Sequence, residues 1–300
     1  MVSKLCFGTL TISPLQRDFD EEEGAALLKS AYDMGVTFFD TAELYGTYPH
    51  LKRAFSGIDD VVISTKSYAY DEKTAADSLD KARRGLGRDV IDIFMLHEQE
   101  SIHTLRGHSE AIDYFLKKKQ EGVIRAFGVS THFVACTKAA ARHDAIDVVH
   151  AIYNRRGLGV VDGTCADMED AIKACYEAGK GIFAMKPLGG GHMCGDAVAA
   201  LIYAADSPYV HAVAVGMQNE DELADNCAFF SGQRDKPMKS AHAPRRLMIH
   251  DWCTACGTCV NVCQNGALAL RGGRIEIDQG RCVFCGYCGA ACPNFAIKVI

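Results

Sequence analysis

Three features are missing from the chain of 300 residues, and each absence excludes a class of protein. No run of apolar residues is long enough to span a membrane, which excludes a transmembrane helix. The first residues, MVSKLCFGTL, lack the charged flank, long apolar stretch and small-residue cleavage site of a signal peptide, so we expect a cytoplasmic protein. An excess of positive charge is also missing, because 32 Lys and Arg stand against 38 Asp and Glu, and this balance excludes a basic surface for nucleic acid.

Cysteine, in contrast, is abundant, but only in one part of the chain. Six of the 14 cysteines are spread over residues 1–252, and the other eight lie between residues 253 and 292. The eight form the run C-x2-C-x2-C-x3-C twice, so this segment is an internal duplication. The two copies are Cys253, Cys256, Cys259 and Cys263, followed by Cys282, Cys285, Cys288 and Cys292.

Three kinds of site compete for these eight cysteines. A disulfide framework needs an oxidising compartment, which the expected cytoplasmic location disfavours. Structural zinc sites commonly use two separated C-x2-C pairs, and the doubled run fits that arrangement poorly. The third kind is a pair of 4Fe-4S clusters, each held by four thiolates, for which this run is a known pattern. The spacing therefore favours two 4Fe-4S clusters.

The cysteine-rich tail resembles the bacterial ferredoxins that carry two 4Fe-4S clusters. In that family the fourth cysteine of each run binds the other cluster. The resemblance therefore implies one cluster on Cys253, Cys256, Cys259 and Cys292, and a second on Cys282, Cys285, Cys288 and Cys263. The chain departs from the family at the end of the first run, where Gln264 stands in place of the usual proline, whereas Pro293 is present in the second.

A stretch without helical or strand periodicity precedes the tail. Residues 231–246 contain two prolines and five basic residues, which is typical of a linker between domains. Its basic residues fit either a solvated face or a docking patch for an acidic electron-transfer partner. We therefore expect three segments: a large domain over 1–230, a linker over 231–246 and a small iron-sulfur domain of α+β type over 247–300.

The first 230 residues alternate between two kinds of segment. Eight short runs rich in β-branched and aromatic residues begin at residues 4, 36, 60, 91, 124, 147, 181 and 210. Amphipathic stretches follow at about 21–34, 49–56, 74–86, 109–121, 132–143, 167–178, 195–206 and 219–230. Eight such units predict an α/β fold with a parallel sheet and favour a closed (β/α)8 TIM barrel. A doubly wound sheet would usually show a Gly-rich nucleotide fingerprint after its first strand, and none is present.

Polar residues collect where the predicted strands end, which in a barrel is the functional face. Asp40 ends the second strand and Tyr45 follows in the next loop. Lys66 ends the third strand and His97 the fourth. These four groups at one barrel mouth predict an active site, and the alternative is an ion-paired rim network without catalysis.

Several segments carry a resemblance to the aldo-keto reductase family. FFDTAELYG, VVISTK and IFMLHEQE match its three catalytic segments, and AFGVSTH, AIYNRR, MKPLGGG and GMQNEDELADN follow in the family's order. With the tail included, the chain resembles the subgroup that has a C-terminal ferredoxin-type domain. The resemblance implies reduction of an aldehyde or ketone by hydride from NAD(P)H. Tyr45 would be the general acid, Lys66 would stabilise its phenolate, Asp40 would hold Lys66, and His97 would bind the substrate oxygen.

The same resemblance implies that a nicotinamide dinucleotide extends across the barrel mouth. Ser130 and Asn154 would hold its carboxamide, and the loop 186–191 would meet its pyrophosphate. The full set of implied cofactor contacts is Thr9, Ser130, Asn154, Lys186, Leu188, Gly216, Gln218, Asn219, Glu222 and Asn226. Met185 stands where many members place an aromatic ring beneath the nicotinamide. The adenosine stretch MQNEDELAD has four acids and no Lys or Arg, which favours NADH over NADPH.

The combination of two chemistries leaves three functions open. Hydride transfer moves two electrons together, whereas 4Fe-4S clusters pass electrons singly. The tail could serve a reductase in structure, redox sensing or docking of a redox partner. Alternatively, the barrel holds a flavin or other acceptor and the clusters relay electrons to a partner, or the clusters are purely structural. The short loops also predict a site that is open, or one closed by the tail or by a second subunit.

Overall fold

The computed structural model describes residues 2–239, 245–282, 284 and 286–300. Its larger part is a closed barrel of eight parallel strands in sequential order, with the first strand paired to the eighth. This architecture confirms the predicted TIM barrel. The strands are β1 (Leu5–Gly8), β2 (Phe38–Asp40), β3 (Val62–Ser67), β4 (Ile91–Leu96), β5 (Ile124–Thr131), β6 (Val148–Ile152), β7 (Gly181–Met185) and β8 (Ala212–Gly216).

Helices follow the barrel strands and cover their outer side. One of them, α4, was not predicted from the sequence. It is short, starts at a capping box formed by Ser101 and Thr104, and buries only Leu105, so it lacks an apolar periodicity that would reveal it. The barrel helices are α1 (Glu21–Asp33), α2 (Tyr48–Ala54), α3 (Glu72–Leu86), α4 (Ile102–Gly107), α5 (Ser109–Gln120), α6 (Val134–Ala141), α7 (Cys165–Glu177), α8 (Ala197–Ala205) and α9 (Glu220–Phe230).

The side chains of the barrel strands alternate between two apolar layers. Phe38, Met95 and Phe183 belong to the cluster inside the barrel, whereas Phe39 and Phe94 pack in the layer beneath the helices. Successive side chains of a strand point to opposite faces, so a residue two positions after an interior residue is also interior. This period places the carboxylate that ends β2 inside the barrel mouth.

The tail contains two small antiparallel sheets and two short helices. β9 (Leu247–Ile249) pairs with β12 (Ile297–Val299), and β10 (Leu268–Arg271) pairs with β11 (Arg274–Ile277). The helices are α10 (Thr258–Val262) and α11 (Tyr287–Ala291). Each begins after a glycine with positive φ, Gly257 at 78° and Gly286 at 83°, so the two copies of the duplicated run share one local fold.

The segment between barrel and tail follows α9. Met238 is buried with the barrel core, so the start of the predicted linker packs on the barrel. Residues 240–244 of that linker lie outside the described residues. In the tail, Trp252 is the one tryptophan of the chain, and its ring stacks on His250 with the ring centroids 3.9 Å apart. No helix in the described part of the chain has the length and apolarity to cross a membrane.

Candidate active site and cluster-binding site

A buried ion pair lies at the barrel mouth between β2 and β3. Lys66 Nζ donates to both carboxylate oxygens of Asp40, at 2.9 and 2.8 Å, and to the carbonyl oxygen of Thr41 at 2.7 Å. Ser64 Oγ donates to the same carboxylate at 2.5 Å. Burial raises the pKa of Asp40, and the neighbouring Lys66 ammonium opposes that rise. The pair therefore fixes a cation at the mouth with its hydrogen bonds satisfied.

Tyr45 lies on the 3-10 turn that follows β2, with its ring near this pair. Lys66 Nζ is 5.1 Å from the ring centroid. Burial raises the pKa of Tyr45 well above its usual value, and the negative charges of Asp40 and Glu98 raise it further. Lys66 is paired with the Asp40 carboxylate, so in the resting site its charge does not outweigh the effect of burial.

His97 follows β4 and completes the group of four predicted residues. Its ring stacks on Tyr68 with centroids 4.7 Å apart and meets the edge of Tyr45 at 5.7 Å. Burial, followed by the charges of Lys66 and Lys186, lowers the pKa of His97 well below 6.5. Its Nδ1 has no hydrogen-bond partner among the described residues. The structure thus brings together a neutral phenol, a neutral imidazole and an ion pair.

A cavity of about 450 Å³ runs across the mouth from this group. Asp40 and Tyr45 line one end, and the start of α9 lines the other. Seven of the ten residues that the sequence assigned to the cofactor line this cavity: Lys186, Leu188, Gly216, Gln218, Asn219, Glu222 and Asn226. Met185 lines it as well, in place of an aromatic ring. The size and length of the cavity suit an extended ligand.

The other three assigned residues do not line the cavity. Thr9 is fully buried, with its hydroxyl 2.8 Å from that of Thr47. Ser130 Oγ accepts from the backbone N–H of Glu98 at 3.0 Å. The side-chain amide of Asn154 accepts from Leu158 N–H and donates to Leu158 C=O, both at 2.9 Å. Ser130 keeps its hydroxyl proton and Asn154 keeps a second amide N–H, so both still have a donor to offer.

Sequence reasoning missed several residues of the site. His150 is buried inside the barrel, 3.8 Å from the Asp40 carboxylate and stacked on Phe183. The sequence could have indicated His150, because it is a polar residue at an interior position of the otherwise apolar strand β6. Other missed lining residues come from distant segments, and no local pattern indicates them; among them are Arg17, Arg245, Lys298, Val299 and Ile300.

In the tail, the cysteines fall into two groups. Burial raises the pKa of the Cys259 thiol, and its neighbours Cys292, Cys253 and Cys256 raise it further. A separate cavity is lined by Cys263, Cys282 and Cys288, while Cys285 lies outside the described residues. Each group combines cysteines of one run with the fourth cysteine of the other run. This is the grouping that crossed ligation requires.

The surroundings of the thiols also suit cluster ligands. Backbone N–H groups approach three sulfurs: Ala255 N to Cys253 Sγ at 3.4 Å, Ala267 N to Cys263 Sγ at 3.3 Å, and Ala296 N to Cys292 Sγ at 3.3 Å. Such amides are the usual means by which a protein stabilises anionic iron-sulfur ligands. Within the described residues, no three His, Cys, Asp or Glu side chains converge on one point as they would around a single metal ion.

The barrel mouth and the cysteine groups define an oxidoreductase barrel joined to an iron-sulfur domain. Residues 4–198 match the aldo/keto reductase family, and residues 252–296 match the 4Fe-4S dicluster domain. The chain therefore belongs to the aldo/keto reductase family and carries a C-terminal 4Fe-4S dicluster domain.

Individual relatives match either the barrel or the tail. L-galactose dehydrogenase of Arabidopsis thaliana is 26% identical over 200 residues, which cover 62% of each chain. A solved Pseudomonas aeruginosa structure, titled as an aldo-keto reductase, is 26% identical with a TM-score of 0.66 and covers 78% of this chain and 91% of that one. The tail is 48% identical over 46 residues to indolepyruvate oxidoreductase subunit IorA of Archaeoglobus fulgidus, 15% of this chain and 7% of that one. The chain spans about three fifths of the length of the curated barrel relatives it matches.

Proposed function

We propose that the protein reduces an aldehyde or ketone by hydride transfer from a nicotinamide dinucleotide, with Tyr45 as general acid. The observation that carries this proposal is the position of Tyr45. Its ring borders the long cavity, with the buried Asp40–Lys66 pair directly behind it. A long cavity that ends at a proton donor and a fixed cation suits reduction of a carbonyl.

Each residue of the group has a separate role in this proposal. A bound nicotinamide dinucleotide would supply the hydride. Negative charge then develops on the carbonyl oxygen, and Tyr45, whose phenol is protonated at neutral pH, donates its proton to that oxygen. His97, neutral because its pKa is lowered, offers a hydrogen bond that orients the same oxygen. Lys66, held by Asp40, stabilises the phenolate that remains.

The far end of the cavity bears on the choice between NADH and NADPH. The carboxylate of Glu222 accepts from the backbone N–H of Gln218 at 2.8 Å, and a carboxylate there suits the ribose hydroxyls of NADH. Arg17 donates to the side chain of Gln218, and Arg245 also lines this end. Their charges would attract the 2'-phosphate of NADPH. We therefore expect NADH to be preferred by only a small factor.

Substitution of the proposed acid tests this function. Tyr45→Phe removes the phenolic proton and leaves the ring in place. We expect the variant to lose about 10²–10⁴-fold in kcat, because general acids contribute on that order. Its Kd for NADH should stay near the wild-type value. NADH oxidation with butanal and with 4-oxobutanoate gives the rates, and fluorescence titration gives the Kd.

Tyr32→Phe is the matched control for that variant. Tyr32 lies on the outer side of the barrel, where its hydroxyl donates to Asp60. We expect this variant to reduce both carbonyls at the wild-type rate. Undiminished carbonyl reduction by Tyr45→Phe would refute the proposed role of Tyr45.

A second candidate function is electron transfer through the clusters, and one contact favours it. His192 directly follows the cofactor loop 186–191 and lines the cavity formed by Cys263, Cys282 and Cys288. The loop that would hold the cofactor therefore adjoins the proposed second cluster. An anaerobic absorption spectrum separates the candidates: structured flavin bands would favour electron transfer. Clusters that bleach with dithionite but not with NADH would favour the reductase.

A redox partner is also part of this second candidate. Arg155, Arg156 and Arg245 line a groove beside His192 and Phe284. Arg155 is paired with Asp196 in the same groove, and three cations against one carboxylate leave the groove positive. The same His192 and Phe284 line the cavity of the proposed second cluster. Positive charge beside a cluster suits an acidic one-electron carrier, because complementary charge accelerates encounter.

A further inference from the structure

The last strand of the tail forms one wall of the barrel cavity. Val299 donates its backbone N–H to the carbonyl oxygen of Gly190 at 2.9 Å. Gly191, at φ 88°, lies so close that a Cβ atom there would be 2.0 Å from Val299 O. Lys298, Val299 and Ile300 all line the cavity. The tail is therefore part of the site, and the alternative that the tail closes the mouth is the one this structure supports.

At this wall, one ammonium group from each domain lies near the same aromatic ring. Lys298, from β12, is only 4% exposed, and its Nζ lies 3.2 Å from the centroid of the Phe295 ring. Lys186, from the loop after β7, has its Nζ 5.1 Å from the centroid of the same ring. The two Nζ atoms are therefore neighbours of one ring, although they belong to different domains. Both side chains line the cavity.

The polar partners of both ammonium groups are neutral. Lys298 Nζ donates to the carbonyl oxygen of Phe295 at 2.6 Å, and Lys186 Nζ donates to His132 Nε2 at 2.7 Å. Among the described residues, no carboxylate lies within ion-pair distance of either group. Glu98 acts on both ammonium groups at longer range, and Cys292 acts on that of Lys298 as well. Two like charges in a site with little water repel each other, and burying them without an opposite charge is unfavourable in free energy.

We propose that Lys186 and Lys298 form one anion-binding site that requires both domains. Its ligand is a phosphate or a carboxylate group held between the two ammonium groups. The inference rests on the proposed function, which supplies two sources of such an anion. One is the pyrophosphate of the dinucleotide, because Lys298 lies over Gly190 in the predicted pyrophosphate loop. The other is a carboxylate on the carbonyl substrate.

Removal of the tail's charge tests the site in the full-length protein with its clusters. Lys298→Met keeps the length of the side chain but loses the ammonium group. We expect it to weaken the binding of inorganic pyrophosphate about 10–100-fold in calorimetric titration, because a hydrogen bond to a charged group contributes on that scale. Lys298→Arg keeps the charge and should bind within a few-fold of wild type. The iron content of both variants, equal to wild type, shows that the tail is folded.

Lys236→Met is the control for this substitution. Lys236 is exposed and does not line the cavity, and its Nζ contacts the side chain of Gln233. The same change of Lys to Met there should leave pyrophosphate affinity at the wild-type value.

The measurements also distinguish the two sources of the anion. A parallel loss of affinity for NADH and pyrophosphate in Lys298→Met assigns the site to the dinucleotide. If Lys298→Met loses affinity only for 4-oxobutanoate, and butanal and NADH are unaffected, the site is assigned to a substrate carboxylate. Wild-type affinity of Lys298→Met for all these ligands overturns the proposal. Failure of the proposed function is a separate result, because a protein that binds pyrophosphate through Lys298 but reduces no carbonyl keeps the anion site and loses the reductase.

Discussion

The barrel and the tail differ in what forms their cores. The barrel buries aliphatic and aromatic side chains in two layers, inside the strands and beneath the helices. The buried cluster of the tail is Leu247, Cys259, Leu268, Cys288, Ile297 and Val299, so two of its six members are proposed cluster ligands. Domains of this size rarely form a sufficient apolar core alone, and a bound metal group then supplies folding free energy. We therefore expect the barrel to fold without its cofactor and the tail to depend on its clusters.

The largest expected effect comes from paired cysteine substitutions, which test this dependence and the crossed ligation together. Cys256→Ala with Cys292→Ala removes two ligands of one proposed cluster, so about four irons per chain should remain. Cys256→Ala with Cys263→Ala removes a ligand from each cluster, so iron should fall close to zero. The second pair should also make the tail sensitive to protease while the barrel stays resistant. Iron analysis and limited proteolysis measure both outcomes.

Cys227→Ala serves as the control, because this cysteine lies on α9 of the barrel. The variant should keep its full iron content. If the second pair kept more iron than the first, each run would bind its own cluster. A protease-resistant tail without iron would contradict the expectation that the tail core depends on its clusters.

A change of pH should affect the two lysines that line the cavity and leave the clusters unchanged. Burial lowers the pKa of Lys186 to about 8, with Glu98 raising it and Lys66 lowering it, and with His132 and Lys298 as its other neighbours. Its charge is present below that pKa and is lost above it. The Kd for NADH should therefore rise about tenfold between pH 7 and pH 9. Fluorescence titration at several pH values gives this profile.

Lys186→Arg is the variant that separates this charge from other pH effects. Arginine stays protonated over the whole range, so the Kd of the variant should rise less than that of the wild type. The rise that remains reports Lys298, whose pKa burial also lowers. The absorbance of the clusters should not change over the same pH range. A constant Kd in the wild type would contradict the role of Lys186.

The smallest expected effect concerns the nucleotide end of the cavity. Glu222→Gln removes the carboxylate near the ribose and should shift kcat/KM several-fold toward NADPH, because a 2'-phosphate is then no longer repelled. Arg17→Gln should shift it several-fold toward NADH. Steady-state kinetics with both nucleotides measure the ratio. Equal shifts in the same direction for the two variants would refute this assignment.

The fold was largely predictable from the sequence because strand and helix periods are local. Alternating runs of residues predicted the eight units of the barrel, and the spacing of the cysteines predicted the iron-sulfur tail. The four residues at the mouth followed from their positions at strand ends and from family segments. The short helix α4 was missed because only Leu105 is buried in it.

The remaining part of the site could not be predicted because it depends on how the domains meet. Lys298 reaches Gly190 only because β12 lies against the loop after β7, and no local pattern in the sequence specifies that contact. Asn154 shows a second feature that the sequence does not reveal. Its position after β6 suggested a ligand contact, but its amide bonds the backbone of Leu158 four residues later. Such short-range bonds between a side chain and the backbone depend on the local loop conformation, which the residue types alone do not specify.

The position of Trp252 has a practical consequence for following the two domains separately. It is the chain's one tryptophan and lies in the tail, half exposed and stacked on His250. Its fluorescence emission therefore reports the state of the iron-sulfur domain, while the tyrosine-rich barrel contributes little to that signal. A melting curve followed by tryptophan emission would record the tail alone, and circular dichroism of the same sample would record mainly the helices of the barrel.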